Sequence, residues 1–236
     1  MPDTTRLGLP LLAPAQSQKH VTVNEGLARL DALVHLSVAS FDTTTPPASP
    51  VEGEVHAVGA GATGDWSGED GKLALFLNGG WAFLQPAVGW QGWSQAEGGR
   101  VAFDGQDWQA GSGSFSANGA GFLHRTIEVD HPVQIGATST VTDFLPGGSI
   151  VYGITARVLT AIGGVASLGI GVSGAADRYG SGIGTSANSW ARGITGTPLA
   201  YYANTSLVLG AEGGSFDGSG VIRIAAHVAE LSLPRA

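Results

Sequence analysis

Two stretches of the last third alternate in polarity with a period of two, and this limits them to extended strands. In one, Ile150, Tyr152, Ile154, Ala156 and Val158 alternate with Val151, Gly153, Thr155, Arg157 and Leu159; in the other, Ile222, Ile224, Ala226 and Val228 alternate with Val221, Arg223, Ala225 and His227. Successive side chains of a strand point to opposite faces, so each run can give one face to a core. Shorter candidates lie at 126–129, 139–142, 168–172, 199–202 and 206–209, and Gly147-Gly148, Gly163-Gly164 and Gly213-Gly214 mark reversals between them. Composition agrees: 38 of 236 residues are Gly, only 13% are charged, and the 43% that are apolar suffice for a packed core. Evenly spaced strands with no long helix between them predict a mainly β chain, with residues 124–236 forming an antiparallel β-sandwich or jelly roll.

The middle of the chain carries turn signals of another kind. Asn78-Gly79 and Asp104-Gly105 each follow a short apolar run, at 73–77 and 101–103, and both dipeptides suit two-residue hairpin turns. Trp81 and Trp108 follow the two turns, which gives two related hairpins rather than a repeat array. With Trp66, Trp90 and Trp93 they supply the bulk from which a domain of residues 51–110 can build a small core; an exposed sugar-stacking platform is the alternative.

At the other end, Pro10 and Pro14 hold 7–14 out of any regular helix, leaving an apolar arm of Leu7, Leu9, Leu11 and Leu12. Thr22 stands three residues before Glu25, the spacing of a capping box, and Val23, Leu27, Leu30 and Val34 then form one narrow helical stripe. Leu33 and Leu36 widen it, and the helix is expected to fade near Phe41. The expected organisation is an arm and helix at 1–45, a stiff Pro-rich linker at 46–50, the Trp-rich β domain at 51–110, a Gly/Ser linker at 111–123 and the sandwich at 124–236.

Charge excludes more than it identifies. Of the net −8, residues 46–110 carry −6 (two basic and eight acidic side chains), and each flank carries −1. With no basic patch anywhere, binding of nucleic acid through its phosphates is not expected. Cysteine is absent, so disulfides and thiolate metal sites are excluded. Residues 1–16 lack the basic and apolar regions of a secretion signal, and no run is long enough for a membrane-spanning helix.

Recognised catalytic motifs are missing too. Gly169-Ile-Gly171-Val-Ser-Gly174 fits a dinucleotide fingerprint in letters only, because it lies in a strand-like run with no helix after it. Histidines 20, 35, 56, 124, 131 and 227 show no metal-ligand spacing, and there is no nucleophile elbow. No metal, no cofactor and no catalytic residue is therefore expected. Glu128, Asp130, Asp143, Asp177, Glu212 and Asp217 leave open a pair of glycosidase carboxylates, although acids at turns more often serve the local backbone. Asp177, Arg178, Tyr179, Trp190 and Arg192, with Tyr201 and Tyr202, read as binding groups on Gly-rich loops, where aromatic faces stack on sugars and Arg and Asp bond hydroxyls or acidic groups. Burial of Trp190 and one tyrosine at a subunit contact is the equal alternative.

Leu7, Pro10, Pro14, Gln16, Gln18, Lys19, His20, Val21, Thr22, Asn24 and Glu25 together resemble the opening of an alphaproteobacterial family of prophages and gene transfer agents, L-x-x-P-x-x-x-P-x-Q-x-Q-K-H-V-T-x-N-E-A. Gly26 stands where that pattern has Ala, which weakens the first helical turn by at most about 1 kcal/mol. The Trp-bearing hairpin region is similar to the family as well, as is the C-terminal stretch from Ser149 through Arg178-Tyr179-Gly180 to Val221-Ile222-Arg223-Ile224. The resemblance implies a virion surface protein, such as the head spike fibre of a gene transfer agent or a phage fibre. It would be released by lysis and form a homotrimer, with capsid, spike-base or tail proteins and host capsular polysaccharide as partners. Leu9, Gln18, Lys19, His20, Asn24, Val23, Leu27, Leu30 and Val34 would then anchor and oligomerise it. A capsule-degrading enzyme and a purely structural spike base remain as alternatives.

Overall fold

A computed structural model describes residues 3–13, 19–96 and 98–235, with Lys19 described in its backbone alone. The chain is mainly β, with one α-helix and a short 3-10 helix (Gly64–Trp66) among the described residues, and it forms two compact units, one ending at Ser112 and the other starting at Gly113. None of the described helices is long and apolar enough to cross a membrane.

In the first unit, helix α1 (Lys19–Val34) is followed by β1 (Ser37–Val38), β2 (Val55–Ala57), β3 (Leu73–Leu77), β4 (Gly80–Leu84), β5 (Gln91–Ser94), β6 (Gly99–Phe103) and β7 (Trp108–Ala110). One sheet has the order β2-β3-β4, and the other β1-β5-β6-β7, where the short β1 runs parallel to β5. The turn at Asn78 (φ 53°) and Gly79 (φ 74°) is the expected two-residue hairpin turn, with both residues left-handed. The second turn is longer than expected: residues 104–107 form a four-residue loop in which Asp104 Oδ1 accepts the backbone N–H groups of Gln106 and Asp107, each at 3.0 Å. An aspartate that satisfies its own turn backbone makes the two-residue geometry unnecessary. Trp66 and Trp108 are buried core residues, while Trp93 is exposed.

Helix and strands share a core, so residues 46–50 do not separate two bodies. Ala32 and Leu36 lie in one cluster with Val38, Val55, Leu73, Leu75, Val101, Phe103 and Trp108. The helix also begins and ends earlier than the sequence suggested. It starts at Lys19, with no Pro or Gly in 19–21 to stop it, so Thr22 is interior, no capping box forms, and Glu25 pairs with Arg29 at 2.6 Å. It stops at Val34, where Arg6 Nη1 donates to Ala32 O, a carbonyl of the last helical turn, at 3.5 Å, and Nη2 to Ser37 O just beyond the helix at 2.8 Å.

The second unit contains β8 (Ser112–Phe115), β9 (Gly121–Pro132), β10 (Thr138–Leu145), β11 (Ser149–Thr160), β12 (Ser167–Val172), β13 (Ala175–Ile183), β14 (Trp190–Tyr201), β15 (Thr205–Glu212) and β16 (Val221–Ser232). Strands β10-β15-β12-β13 form one sheet and β14-β11-β16-β9-β8 the other, with antiparallel registers throughout those assigned. Val151, Ile154, Ala156, Val158, Ile222, Ile224, Ala226 and Val228 meet Leu168, Ile170, Leu207 and Leu209 in one core, which makes the predicted sandwich. The Gly/Ser stretch before it is paired structure, since β8 joins the sheet beside β9.

The alternation of β11 changes phase within the strand. A bulge between Val151 and Gly153 breaks the register with both neighbours, so Val151 and Ile154 are buried while Tyr152 turns outward with Thr155 and Arg157. Gly153 belongs there because a Cβ at that position would lie 2.5 Å from Gly193 O. Backbone of the neighbouring strand therefore occupies the space any other residue needs.

Candidate functional site

The solvent-facing side of the five-stranded sheet collects the chemistry of the second unit. Residues opposite one another across paired strands share a face, so the registers define its rows. Trp190 of β14, Arg157 of β11, Arg223 of β16 and Asp130 of β9 form the first row; Arg192, Thr155, Ala225 and Glu128 form the second; Ile194, Gly153, His227 and Thr126 form the third. Beyond the bulge the face ends in aromatic rings: His124 stacks on Tyr152 at 5.9 Å and meets Phe122 edge-on at 4.6 Å.

Two shallow depressions adjoin on this face and share Thr155 and Arg192. One, of about 400 Å³, lies among Arg157, Trp190, Arg192, Arg223, Leu159 and Glu128. The other, of about 310 Å³, is lined by Tyr152, Ile194 and His227 with the glycines between. Trp190 is 62% exposed, and the Arg192 guanidinium carbon stands 5.9 Å from its ring centre. Arg223 is held by Asp130 in a two-point pair of 2.6 and 2.7 Å, with Glu128 at 3.6 Å. Arg157 and Arg192 have no hydrogen-bonded or ionic partner among the described residues. His227 ties the third row to the second, since Nε2 lies 3.0 Å from Thr155 Oγ1.

Of the binding residues picked from the sequence, only Trp190 and Arg192 lie on this face. Asp177, Arg178 and Tyr179 belong to β13 and Tyr201 closes β14, so they sit on strands rather than loops. Tyr179 is 2% exposed and its hydroxyl bonds that of Tyr201 at 2.7 Å; burial, then the Tyr201 bond, push it well above the ordinary tyrosine range. A ring so enclosed cannot stack on a ligand. Tyr202, by contrast, stands 94% exposed just past β14.

The face also bears on the carboxylate pair. Glu128 and Asp130 share it, but Arg223 holds Asp130 below the ordinary carboxylate range. A glycosidase acid needs its pKa raised. Glu212 is engaged by Ser167 Oγ at 2.5 Å and Gly182 N at 2.9 Å, while Asp217 accepts from Ser219. Another arrangement had no signal in the sequence: Ser40 Oγ lies 3.1 Å from His56 Nδ1, and His56 Nε2 lies 2.7 Å from Glu54. His56 is buried with its ring centre 5.2 Å from Trp66 and 6.0 Å from Trp81, so it works as a polar strut under aromatic cover. No group of three or more metal-ligating side chains occurs among the described residues.

In the first unit the arm is fastened to its own helix. Asp31, 4% exposed, accepts from Thr4 Oγ1 at 2.6 Å, Leu7 N at 2.6 Å and Arg6 N at 2.9 Å. Burial pushes this carboxyl up, but those three bonds and the Arg6 charge outweigh it and hold the group below its ordinary range. Asn24 grips Leu12 from both sides, accepting from its N–H at 2.8 Å and donating to its carbonyl at 3.0 Å. Leu9 is half-buried, its N–H donating to Thr4 Oγ1 at 2.9 Å. A cavity of about 750 Å³ lies between arm, helix and the 78–79 turn, with half-buried His20 in its wall. Val23, Leu30 and Val34 are exposed and Leu27 is half-buried, so the stripe seen in the sequence does not face the core. Gln18 and the Lys19 side chain lie outside the described residues.

Residues 23–109 match the profile of a family described as a protein of unknown function (DUF2793), which covers well under half of the chain and begins inside the N-terminal motif. No curated protein matches. Among solved structures, a chain of the cyanophage Pam1 capsid asymmetric unit is similar at 21% identity over 50% of this chain and 91% of that one, with a TM-score of 0.35, a likeness below that of a shared fold.

Proposed function

We propose that this chain is a non-enzymatic surface protein of a phage-like particle, a spike or fibre subunit that holds host-surface polysaccharide on the outer face of its five-stranded sheet. The observation that carries the binding part is the exposed Trp190 beside Arg192 and the unpartnered Arg157, with Tyr152 at the far side of the same flat face. Aromatic faces and unpaired donors on a rigid sheet are what a sugar chain needs for stacking and hydrogen bonding. The particle part is supported by the motif running from Leu7 to Glu25 and its resemblance to prophage and gene-transfer-agent proteins.

On this reading the arm and α1 attach the protein to capsid, spike-base or tail proteins. The exposed Val23, Leu30 and Val34 meet further copies of the chain in a trimer. Particles made without the protein should assemble normally and adsorb poorly to capsulated cells; normal adsorption would refute the adhesin role. Light scattering tests the helix stripe: wild-type protein is expected at the mass of an oligomer and the double variant Leu30→Glu, Val34→Glu at the mass of one chain. Equal masses would remove the stripe from assembly.

A further inference from the structure

We infer that the glycan held by this face is anionic, with a carboxylate or sulfate group seated between Arg157 and Arg192 and a sugar ring on Trp190. The inference rests on the glycan reading above and adds the chemical class of the ligand. Its first ground is an imbalance of charge within one row. Arg157 stands directly opposite Arg223 across β11 and β16, and like charges in that position destabilise a sheet. Asp130 and Glu128 compensate Arg223, but Arg157 has no ionic partner among the described residues, and Arg192 faces it diagonally from the next row with none either.

The chemistry of the donors is the second ground. All six basic residues of 111–236 are arginines, and three of them line the one depression of about 400 Å³. A planar guanidinium bonds a carboxylate or sulfate through two parallel N–H groups, which a lysine cannot do. Since the chain as a whole carries −8, its general field repels polyanions, and attraction must come from this local cluster. Trp190 borders the same depression with its ring already beside Arg192. A pyranose on that ring would place a substituent acid within reach of both guanidinium groups.

The test is calorimetric titration of the full-length protein with polygalacturonate (carboxylate), dextran sulfate (sulfate ester) and neutral dextran. Binding of at least one of the charged polymers but not dextran is expected, and which one binds identifies the anion. Arg157→Gln and Arg192→Gln should each weaken it about tenfold or more, as should Trp190→Ala, with circular dichroism unchanged. Equal binding of dextran, unaffected by the arginine variants, would overturn the anionic inference and leave the glycan reading standing. Unchanged binding by Trp190→Ala would reduce the contact to bare charge and also overturn it. If no polymer binds and Trp190→Glu instead splits an oligomer in light scattering, the face is a subunit contact and both readings fall.

Discussion

Asp31 shows how much one buried carboxylate can organise in a small unit. It satisfies two arm amides and the Thr4 hydroxyl while sitting on the helix side that faces the core. Hydrogen bonds to a charged group contribute about 1.5–3 kcal/mol, so Asp31→Asn should open the arm by about that amount, seen as faster hydrogen exchange at the Arg6 and Leu7 amides. Unchanged exchange would mean that the arm is held elsewhere. The pH dependence has a definite sign. Because the folded group sits below its unfolded value of about 3.9, its contribution is complete above that pH and is lost only as pH falls through the lower folded value. The Leu7 amide resonance should therefore titrate with a midpoint below the ordinary aspartate range. Trp190 is the opposite kind of residue: being largely exposed, its replacement by Ala should change stability by no more than about 0.5 kcal/mol while removing the binding.

At the scale of elements, α1 has a correctable weakness. Gly26 lies within the helix with open space around the position a Cβ would take, so Gly26→Ala should stabilise the first unit by roughly 0.5–1 kcal/mol, measured as a higher denaturation midpoint. A lower midpoint would show that the helix face at Gly26 is already packed against something. Which elements were legible in the sequence follows from what fixes each one. Strands β11 and β16 and the 78–79 turn were visible because their information is local: polarity alternation in one case and an Asn-Gly pair in the other. Strand β13 is disguised by Asp177-Arg178 and by Gly180 and Gly182, both with positive φ, although its partner β12 is adjacent in the chain; most of β14 is disguised because its partner β11 is distant in sequence. The same blindness applied to the site. Arg157 and Arg223 each stood on the non-core phase of a recognised strand, but only the β11–β16 register brings them side by side. The outward turn of Tyr152 depends on a bulge that no alternation pattern reveals. Asp31, flanked by Leu30 and Ala32, is the residue of the helix whose sequence context signals that this side receives something polar.

For the molecule as a whole, each unit has its own buried cluster, built around Trp108, Leu73 and Leu75 in one and around Leu168, Leu209 and Ile222 in the other. Leu209→Ala should cost about 2–5 kcal/mol and lower the melting transition of the second unit alone in calorimetry; a shift of the first unit's transition as well would show one cooperative system. Hydroxyl-radical footprinting of the full chain with host-surface polysaccharide shows what the second unit presents to its surroundings. Added polysaccharide is expected to protect Trp190 and Tyr152 while leaving the equally reactive, 94% exposed Tyr202 and the exposed Trp93 unprotected. Protection of Tyr202 or Trp93 with Trp190 unchanged would contradict that expectation and move the binding surface elsewhere.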